Sequence, residues 1–372
     1  MTESVGLYLH YPFCRKKCGY CDFYSLPALS LRRDYEKALC RALESAAEML
    51  RDRCLATVYF GGGTPSLLTE EGGKEIFSRV FSLFRVEKDA EITLEANPES
   101  TTEKALSSFL EWGVNRLSFG MQSFLPHELA LLGRIHTRES GIGAFQNARR
   151  AGFNNISLDL MYGLPGQKKE EWEESVSTAL SLSPEHLSFY ALTLSPDCPL
   201  AKRAGALPDE DESLAFYLSA IEKLQKAGLE QYEISNAAKP GFASRHNLNY
   251  WQGGEYLGLG PGAHSFFGGE RFAVAADLHR FLQAEDFHEA VTERTLLSEE
   301  DRAEEYIMLS LRLAKGLDLD RLEELAGREK RLEVARNFSL WEKGGLCRKT
   351  EKGYALTPRG FFVSNEIISR LI

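Results

Sequence analysis

Residues 8–25 read YLHYPFCRKKCGYCDFYS, a strand-like apolar start running into three cysteines spaced Cys14-x3-Cys18-x2-Cys21. Thiolates are the ligands of iron–sulfur clusters. Three of them this close, in a loop, can hold three corners of one cubane and leave its fourth iron open to a substrate. Zinc is the rival reading. A structural zinc site takes four ligands at paired spacings, and position 23, where a nearby fourth would be sought, is Phe. Three unrelated buried cysteines is the plainest alternative, and the density of the run argues against it. The chain has seven cysteines, an odd number that does not suit a disulfide framework. Cys40, Cys54, Cys198 and Cys347 are scattered and read as small buried side chains.

Outward from that run, the first two thirds of the chain alternate short apolar runs with amphipathic stretches. Expected strands are Val5–His10, Thr57–Phe60, Glu91–Ala96, Arg116–Gly120, Ser157–Met161 and His186–Leu192. Expected helices are Leu31–Arg51, Thr69–Phe84, Thr101–Trp112, Thr137–Ala151, Lys169–Leu182 and Asp209–Ala227. Six βα units spaced by about 30 residues predict an α/β fold with a parallel sheet. Six are too few for an eight-stranded barrel, so an incomplete (βα)6 TIM-like barrel, open on one side, is expected. Ligands of such a fold sit at the C-terminal ends of the strands.

Three divisions follow: 1–240, the partial barrel; 241–297, a Gly- and aromatic-rich, loop-heavy segment containing HNLNYW; and 298–372, a smaller α+β domain. The last has helical patterns at Ser298–Ala314, Asp318–Ala326 and Glu329–Lys343, then a hairpin turning near Lys352–Gly353. It reads as winged-helix-like. No basic cluster marks a recognition helix, which favours a contact role over nucleic-acid binding. Lys and Arg number 44 against 54 Asp and Glu, a net charge of −10 that also disfavours nucleic acid as partner. No stretch approaches ~18 uninterrupted apolar residues, so no transmembrane segment is expected. The N-terminus lacks a secretory pattern, and a cytosolic location is expected.

Further motifs follow the cysteines in order: FGGGTPSLL from Phe60, LEANPES from Leu94, RLSFGMQSF from Arg116, LGRIH from Leu132 and SLDLMYGLPGQ from Ser157. Glycines let backbone approach a ligand closely. Glu95 and Asp159 end strands and can accept hydrogen bonds from a ribose or an amine, and Arg134 can pair with a carboxylate. Singly, each carboxylate is as well explained by a helix cap or a surface charge. Together the motifs resemble the radical SAM superfamily, and within it the coproporphyrinogen-oxidase-like branch, over about residues 5–270. The resemblance implies a [4Fe–4S] cluster on Cys14, Cys18 and Cys21, with S-adenosylmethionine (SAM) chelating the free iron through its amino and carboxylate groups. It places Tyr8, Tyr20, Gly62, Gly63, Thr64, Glu95, Gln122, Arg134, Asp159 and Ala191 at SAM contacts, with Tyr20 near the adenine and the glycine motif on the methionyl part.

The branch contains oxygen-independent coproporphyrinogen III oxidases and also heme chaperones, which bind heme as cargo and hand it to apo-hemoproteins. Three features favour the chaperones. The oxidase signature continues to a fourth cysteine, and here that position is Phe23. The oxidase has a substantial extension before the first strand, and here seven residues precede Tyr8. Finally, His246-Asn247-Leu248-Asn249-Tyr250-Trp251 resembles the HNxxYW segment associated with heme binding. Histidine is a common axial ligand of heme iron, and Tyr250 and Trp251 offer flat apolar surface for a macrocycle. On composition alone, a histidine satisfying loop backbone groups is the better account of His246. His264, in PGAHSF, is a second candidate. A cluster-dependent homodimer is a further expectation from the resemblance. A radical SAM enzyme acting on RNA is the third class weighed, and the acidic charge and absence of an RNA-binding module disfavour it.

Overall fold

The computed structural model describes residues 4–196, 198–202 and 205–372. All six expected strands form: β1 (Ser4–Tyr11), β2 (Cys54–Gly62), β3 (Val86–Ala96), β4 (Arg116–Gln122), β5 (Ile156–Tyr162) and β6 (His186–Ala191). They lie parallel and in chain order. The expected helices connect or follow them: α1 (Arg32–Ala46), α2 (Glu70–Leu83), α3 (Glu103–Glu111), then, after a short unanticipated helix α4 (Pro126–Leu132), α5 (Arg138–Ala151), α6 (Lys169–Ser181) and α7 (Glu210–Lys226). Thr69, Thr102 and Thr137 start α2, α3 and α5, each side chain accepting a backbone N–H three residues on.

Strand alternation builds the site directly. Successive side chains point to opposite faces. On β4, Leu117, Phe119 and Met121 are fully buried in the main core, whereas Arg116, Ser118, Gly120 and Gln122 line the interior cavity. The same rule puts Asp159 and Met161 of β5, and Ser188 and Tyr190 of β6, on the cavity side. Leu158, Leu160, Leu187 and Phe189 go to the core. The concave face is thus a polar row carried on apolar strands.

Residues 241–297 depart from the loop-heavy expectation. After β7 (Glu230–Glu233) and β8 (Asn236–Ala238), they form helix α8 (Arg245–Trp251) and strands β9 (Tyr256–Leu259), β10 (His264–Phe267), β11 (Glu270–Val274) and β12 (Val291–Leu296), with two short helices, α9 (Leu278–Gln283) and α10 (Phe287–Ala290), before β12. β9 pairs in parallel with β1, and the twelve strands run β12-β11-β10-β9-β1-β2-β3-β4-β5-β6-β8-β7. The sheet ends at β12 and β7 without closing, as an open barrel requires. Periodicity failed here because β9 and β10 are four residues each. Gly260 and Gly262 turn the chain between them, and Gly268 and Gly269 turn it from β10 into β11, all at positive φ.

The C-terminal part pairs α11 (Glu299–Ser310) and α12 (Leu319–Lys343) with a small sheet of β13 (Leu317–Asp318), β14 (Cys347–Lys349) and β15 (Gly353–Leu356), ordered β13-β15-β14. Gly327, at φ 81°, breaks α12 into the two helical stretches expected. The hairpin turns at Thr350–Gly353. Among the described residues no helix is long and apolar enough to cross a membrane.

Helix α8 lies against the N-terminal ends of the strands and is tied there by Glu91 of β3. That buried carboxylate accepts the backbone N–H groups of Arg245 (3.0 Å) and His246 (3.1 Å). Removing it strands buried donors. We expect Glu91→Ala to destabilise the protein by about 2–3 kcal/mol, read as a lowered denaturant midpoint. An unchanged midpoint would mean that α8 is anchored by other contacts.

Candidate functional site

A cavity of about 510 Å³ opens at the C-terminal ends of β1–β6. Cys14, Cys18 and Cys21 lie at its mouth, on the loop that leaves β1. The loop is pinned on several sides. Cys14 N–H donates to Leu26 O (3.1 Å), Gly19 N–H to Leu132 O (3.2 Å), and Leu200 N–H to Gly19 O (2.8 Å). Two sulfurs accept hydrogen bonds: Cys14 Sγ from Thr64 Oγ1 (3.4 Å) and Cys18 Sγ from Arg134 Nη1 (3.5 Å). Such bonds tune a thiolate-held cluster. Burial pushes the Cys14 and Cys21 thiols up. The three sulfurs do not converge as the ligands of a single ion would. Among the described residues, only His127, Glu128 and Glu171 bring three ligand atoms within 4.8 Å of one another. A mononuclear zinc site needs that convergence. A cubane, with iron and sulfide at alternate corners and each cysteine on its own iron, does not.

The glycine motif has a reason besides a ligand. Gly63 N–H donates to Tyr11 O (2.7 Å) and Thr64 N–H to Phe13 O (2.8 Å), so the motif runs against the segment leading into Cys14. A Cβ on Gly63 would sit 2.7 Å from Phe13 O and 2.9 Å from Tyr11 O. Gly62, at φ +109°, adopts a backbone conformation that side-chain-bearing residues avoid.

Of the ten residues expected at SAM contacts, Tyr20, Gly62, Gly63, Glu95, Gln122, Arg134, Asp159 and Ala191 line the cavity. Tyr8 and Thr64 stand one layer behind. Tyr8 stacks on Tyr59 (6.2 Å between centroids), and Thr64, beside accepting from Asn97 Nδ2 (3.0 Å), serves Cys14. Glu95 accepts Tyr59 Oη–H (2.8 Å) and Gly62 N–H (3.1 Å). Burial still pushes its carboxyl up to about 7. Asp159 accepts Ser118 Oγ–H (3.1 Å), and burial raises its pKa too. Arg134 follows Gly133, whose left-handed conformation ends α4 and turns the chain back to the cavity. Its Nη2 donates to Asn97 Oδ1 (2.7 Å) and Gly120 O (2.6 Å). Gln122, at φ 66°, is one of two non-glycine residues among those described with positive φ, and Tyr190 Oη–H donates to its Oε1 (2.7 Å). Such strain is held where surrounding structure over-determines it.

Sequence reading missed Tyr59, Asn97, Glu99, Arg116, Ser118, Met161 and Tyr190, all of which line the cavity. Met161 sits two residues from Asp159, and Ser118 and Arg116 four and six from Gln122, on the same face of the same strand. Period-2 counting outward from Glu95, Asp159 and Gln122 would have found Arg116, Ser118 and Met161.

The HNLNYW segment is placed differently from its expectation. His246 is 1% exposed, beneath the strands, not at the cavity mouth. Its Nδ1 lies 2.7 Å from Thr57 Oγ1 and its Nε2 2.7 Å from Tyr250 Oη, so both ring nitrogens are engaged. Burial lowers its pKa to about 3, leaving the imidazole neutral. The ring stacks on Tyr59 at 5.0 Å. Tyr250 is held beneath the strands by His246, and the Trp251 ring faces the Arg312 guanidinium (5.7 Å). Asn247 alone of the segment lines the cavity. His264 is exposed on β10.

Comparison with known proteins agrees with this architecture. A family model of the Radical SAM superfamily matches residues 8–179, and one of the HemN C-terminal domain matches residues 297–363. The heme chaperone HemW of Bacillus subtilis (strain 168) is 36% identical, with 98% of this chain and 98% of that protein covered. That of Mycobacterium tuberculosis (strain ATCC 25618 / H37Rv) is 35% identical, covering 100% of this chain and 95% of its own. That of Escherichia coli (strain K12) is 39% identical over 70% of this chain and 69% of its own. Among solved structures, the coproporphyrinogen III oxidase HemN of Escherichia coli superposes with a TM-score of 0.86. It covers 99% of this chain and 90% of that one at 23% identity, a likeness of fold. With a cysteine loop, glycine motif and strand-end polar row on an open barrel, and near-full-length relatives above 30% identity, the chain belongs to the HemW family within the radical SAM superfamily.

Proposed function

We propose that this protein is a heme chaperone. It holds a [4Fe–4S] cluster on Cys14, Cys18 and Cys21, binds SAM in the barrel cavity, and carries heme to apo-hemoproteins in the cytosol. The observation that carries the reading is the full-length likeness to heme chaperones together with Phe23, 67% exposed beside the cluster loop, where the oxidases have a fourth cysteine. A cluster at the mouth supplies an iron that SAM can chelate. This chain's residues do the rest. Thr64 and Arg134 donate to the sulfurs, Glu95 and Asp159 offer acceptors below, and Tyr20 offers a ring beside them. The oxidase alternative has the shared fold of HemN beside it, and the fold alone does not separate the two readings. The divisions 1–240, 241–297 and 298–372 serve as working units for truncation, and a cluster-dependent homodimer belongs to the same reading.

His246 enters this reading as a support and not as an iron ligand. To reach iron it would have to break its bond to Tyr250 and leave the barrel floor. Its stacking on Tyr59, which donates to Glu95, ties the segment to the SAM site. The heme ligand is then to be sought at the surface, with exposed His264 the first candidate.

Three outcomes test these assignments. Anaerobic reconstitution should give about four irons and four sulfides per chain. Cys14→Ala, Cys18→Ala or Cys21→Ala should lose them, and Cys40→Ala should keep them; an intact cluster in Cys18→Ala would sink the assignment. Heme titration should give a saturable Soret change and transfer to an apoprotein, without decarboxylation of coproporphyrinogen under reductant and SAM. Turnover of the porphyrinogen would instead establish the oxidase. Finally, His246→Ala should leave the Soret maximum of the heme complex in place while lowering thermal stability, and a shifted maximum would restore His246 as the ligand.

A further inference from the structure

Arg116 opens β4 and is one of the largest fully buried side chains, 2% exposed. Its side chain lines the cavity. Its Nε is shut off from solvent without a partner, and no hydrogen bond or ion pair of the guanidinium occurs among the described residues. An arginine is always charged, and a buried charge without compensation is costly. Register places Arg116 opposite Thr93, one inward position below Glu95 on β3, and Asp159 lies on the next strand, β5. Both carboxylates line the same chamber, and their hydrogen-bond partners are neutral: Tyr59 and Gly62 for Glu95, Ser118, Ser157 and Ser188 for Asp159.

The remaining groups around it are fixed by their own contacts. Arg134 is engaged with Asn97, Gly120 and Cys18. Beneath the strands, His246 is held by Thr57 and Tyr250, His186 by Ser157 and Tyr232, and Glu91 by α8. The two histidines are neutral, with burial the main cause and Arg116 a further one. Tyr59 and Tyr232 are held protonated by burial. That leaves Arg116 as the cation whose field falls on Glu95 and Asp159 without being consumed in a contact.

We propose that Arg116 is a positioning residue for the cavity's ligand, acting by charge and not by contact to favour the ionised forms of Glu95 and Asp159, so that both accept hydrogen bonds from the hydroxyl and amino groups of SAM. This rests on the reading of the cavity as a SAM site. The direction of each effect agrees: Arg116 lowers the pKa of both carboxyls against the burial that raises them. Without it, burial and the repulsion of Glu95 by Asp159 are opposed only by the hydrogen bonds from Tyr59, Gly62, Ser118, Ser157 and Ser188, so protonation gains at neutral pH and ionisation returns as pH rises.

The test is SAM affinity of the anaerobically reconstituted full chain, by equilibrium dialysis between pH 7 and 9, with iron content and melting temperature measured alongside. Wild type should gain about twofold in affinity from pH 7 to pH 9, as the Glu95 carboxyl, at about 7, completes its ionisation. Arg116→Met, with iron retained, should bind SAM about tenfold or more weakly at pH 7 and recover to within about threefold of wild type at pH 9. Arg116→Lys, which keeps the charge, should follow the wild-type profile. Unchanged affinity in Arg116→Met, or a loss of equal size at both pH values, would overturn the proposal, as would a Lys variant no better than Met. If Arg116→Met does not fold, the Lys variant's profile decides alone: a loss at pH 7 beyond that of wild type overturns it and the wild-type profile supports it. Glu95→Gln and Asp159→Asn separate the two readings. If both bind SAM as wild type does, the SAM site itself is misplaced. If both weaken binding while Arg116→Met shows no pH-dependent recovery, only the role of Arg116 fails.

Discussion

The site depends on two backbone hydrogen bonds, Gly63 N–H to Tyr11 O and Thr64 N–H to Phe13 O. They lash the loop after β2 to the segment that carries the chain from β1 into Cys14. The bonds are possible only because position 63 has no Cβ to meet those carbonyls. From this close approach the rest follows. Thr64 reaches the Cys14 sulfur, Asn97 reaches Thr64, and Arg134 reaches both Asn97 and the Cys18 sulfur. Four consecutive strand ends are thereby locked to one cysteine loop, and preorganisation of this kind is what a bound cofactor needs.

The lower half of the barrel is built on a different principle. Aromatic rings and neutral imidazoles fill it: Tyr8, Tyr59, His246 and Tyr250 in one stack, and His186 with Tyr232 beside them. Each polar tip finds a partner inside the stack or on the neighbouring strand, as buried polar groups must. The segment HNLNYW is the keystone of this floor. Its histidine is invested in the packing, with both ring nitrogens engaged by Thr57 and Tyr250.

Much of this was legible beforehand. The six parallel strands announced themselves because each carries an apolar face to the core, and several lead into a helix whose cap, such as Thr69 or Thr137, marks its start. Eight of the ten residues named for SAM reached the cavity because most lie in motifs at strand ends, where sequence order and spatial order coincide, while Tyr20 and Arg134 reach it from the cysteine loop and from the turn after α4. What was illegible depends on tertiary placement. Whether His246 faces the cavity mouth or the floor is decided by where α8 docks, and Glu91, 154 residues away from Arg245, does the docking. The four-residue strands β9 and β10 are too short to display a period. Arg116 was quoted inside a motif and passed over, because a charged residue opening a strand looks like surface until the sheet curls around it.

The pairing of β9 with β1 has a consequence during synthesis. β1 emerges first from the ribosome and meets β2 about fifty residues later, but its other edge waits for Tyr256–Leu259, roughly 250 residues on. At about 5–20 residues per second, that edge stays unpaired for tens of seconds. An unpaired apolar edge is a template for association with another nascent chain. The strand that leads into the cluster loop is therefore among the first made and the last enclosed, and the yield of intact protein will be governed by what shields that edge while translation proceeds.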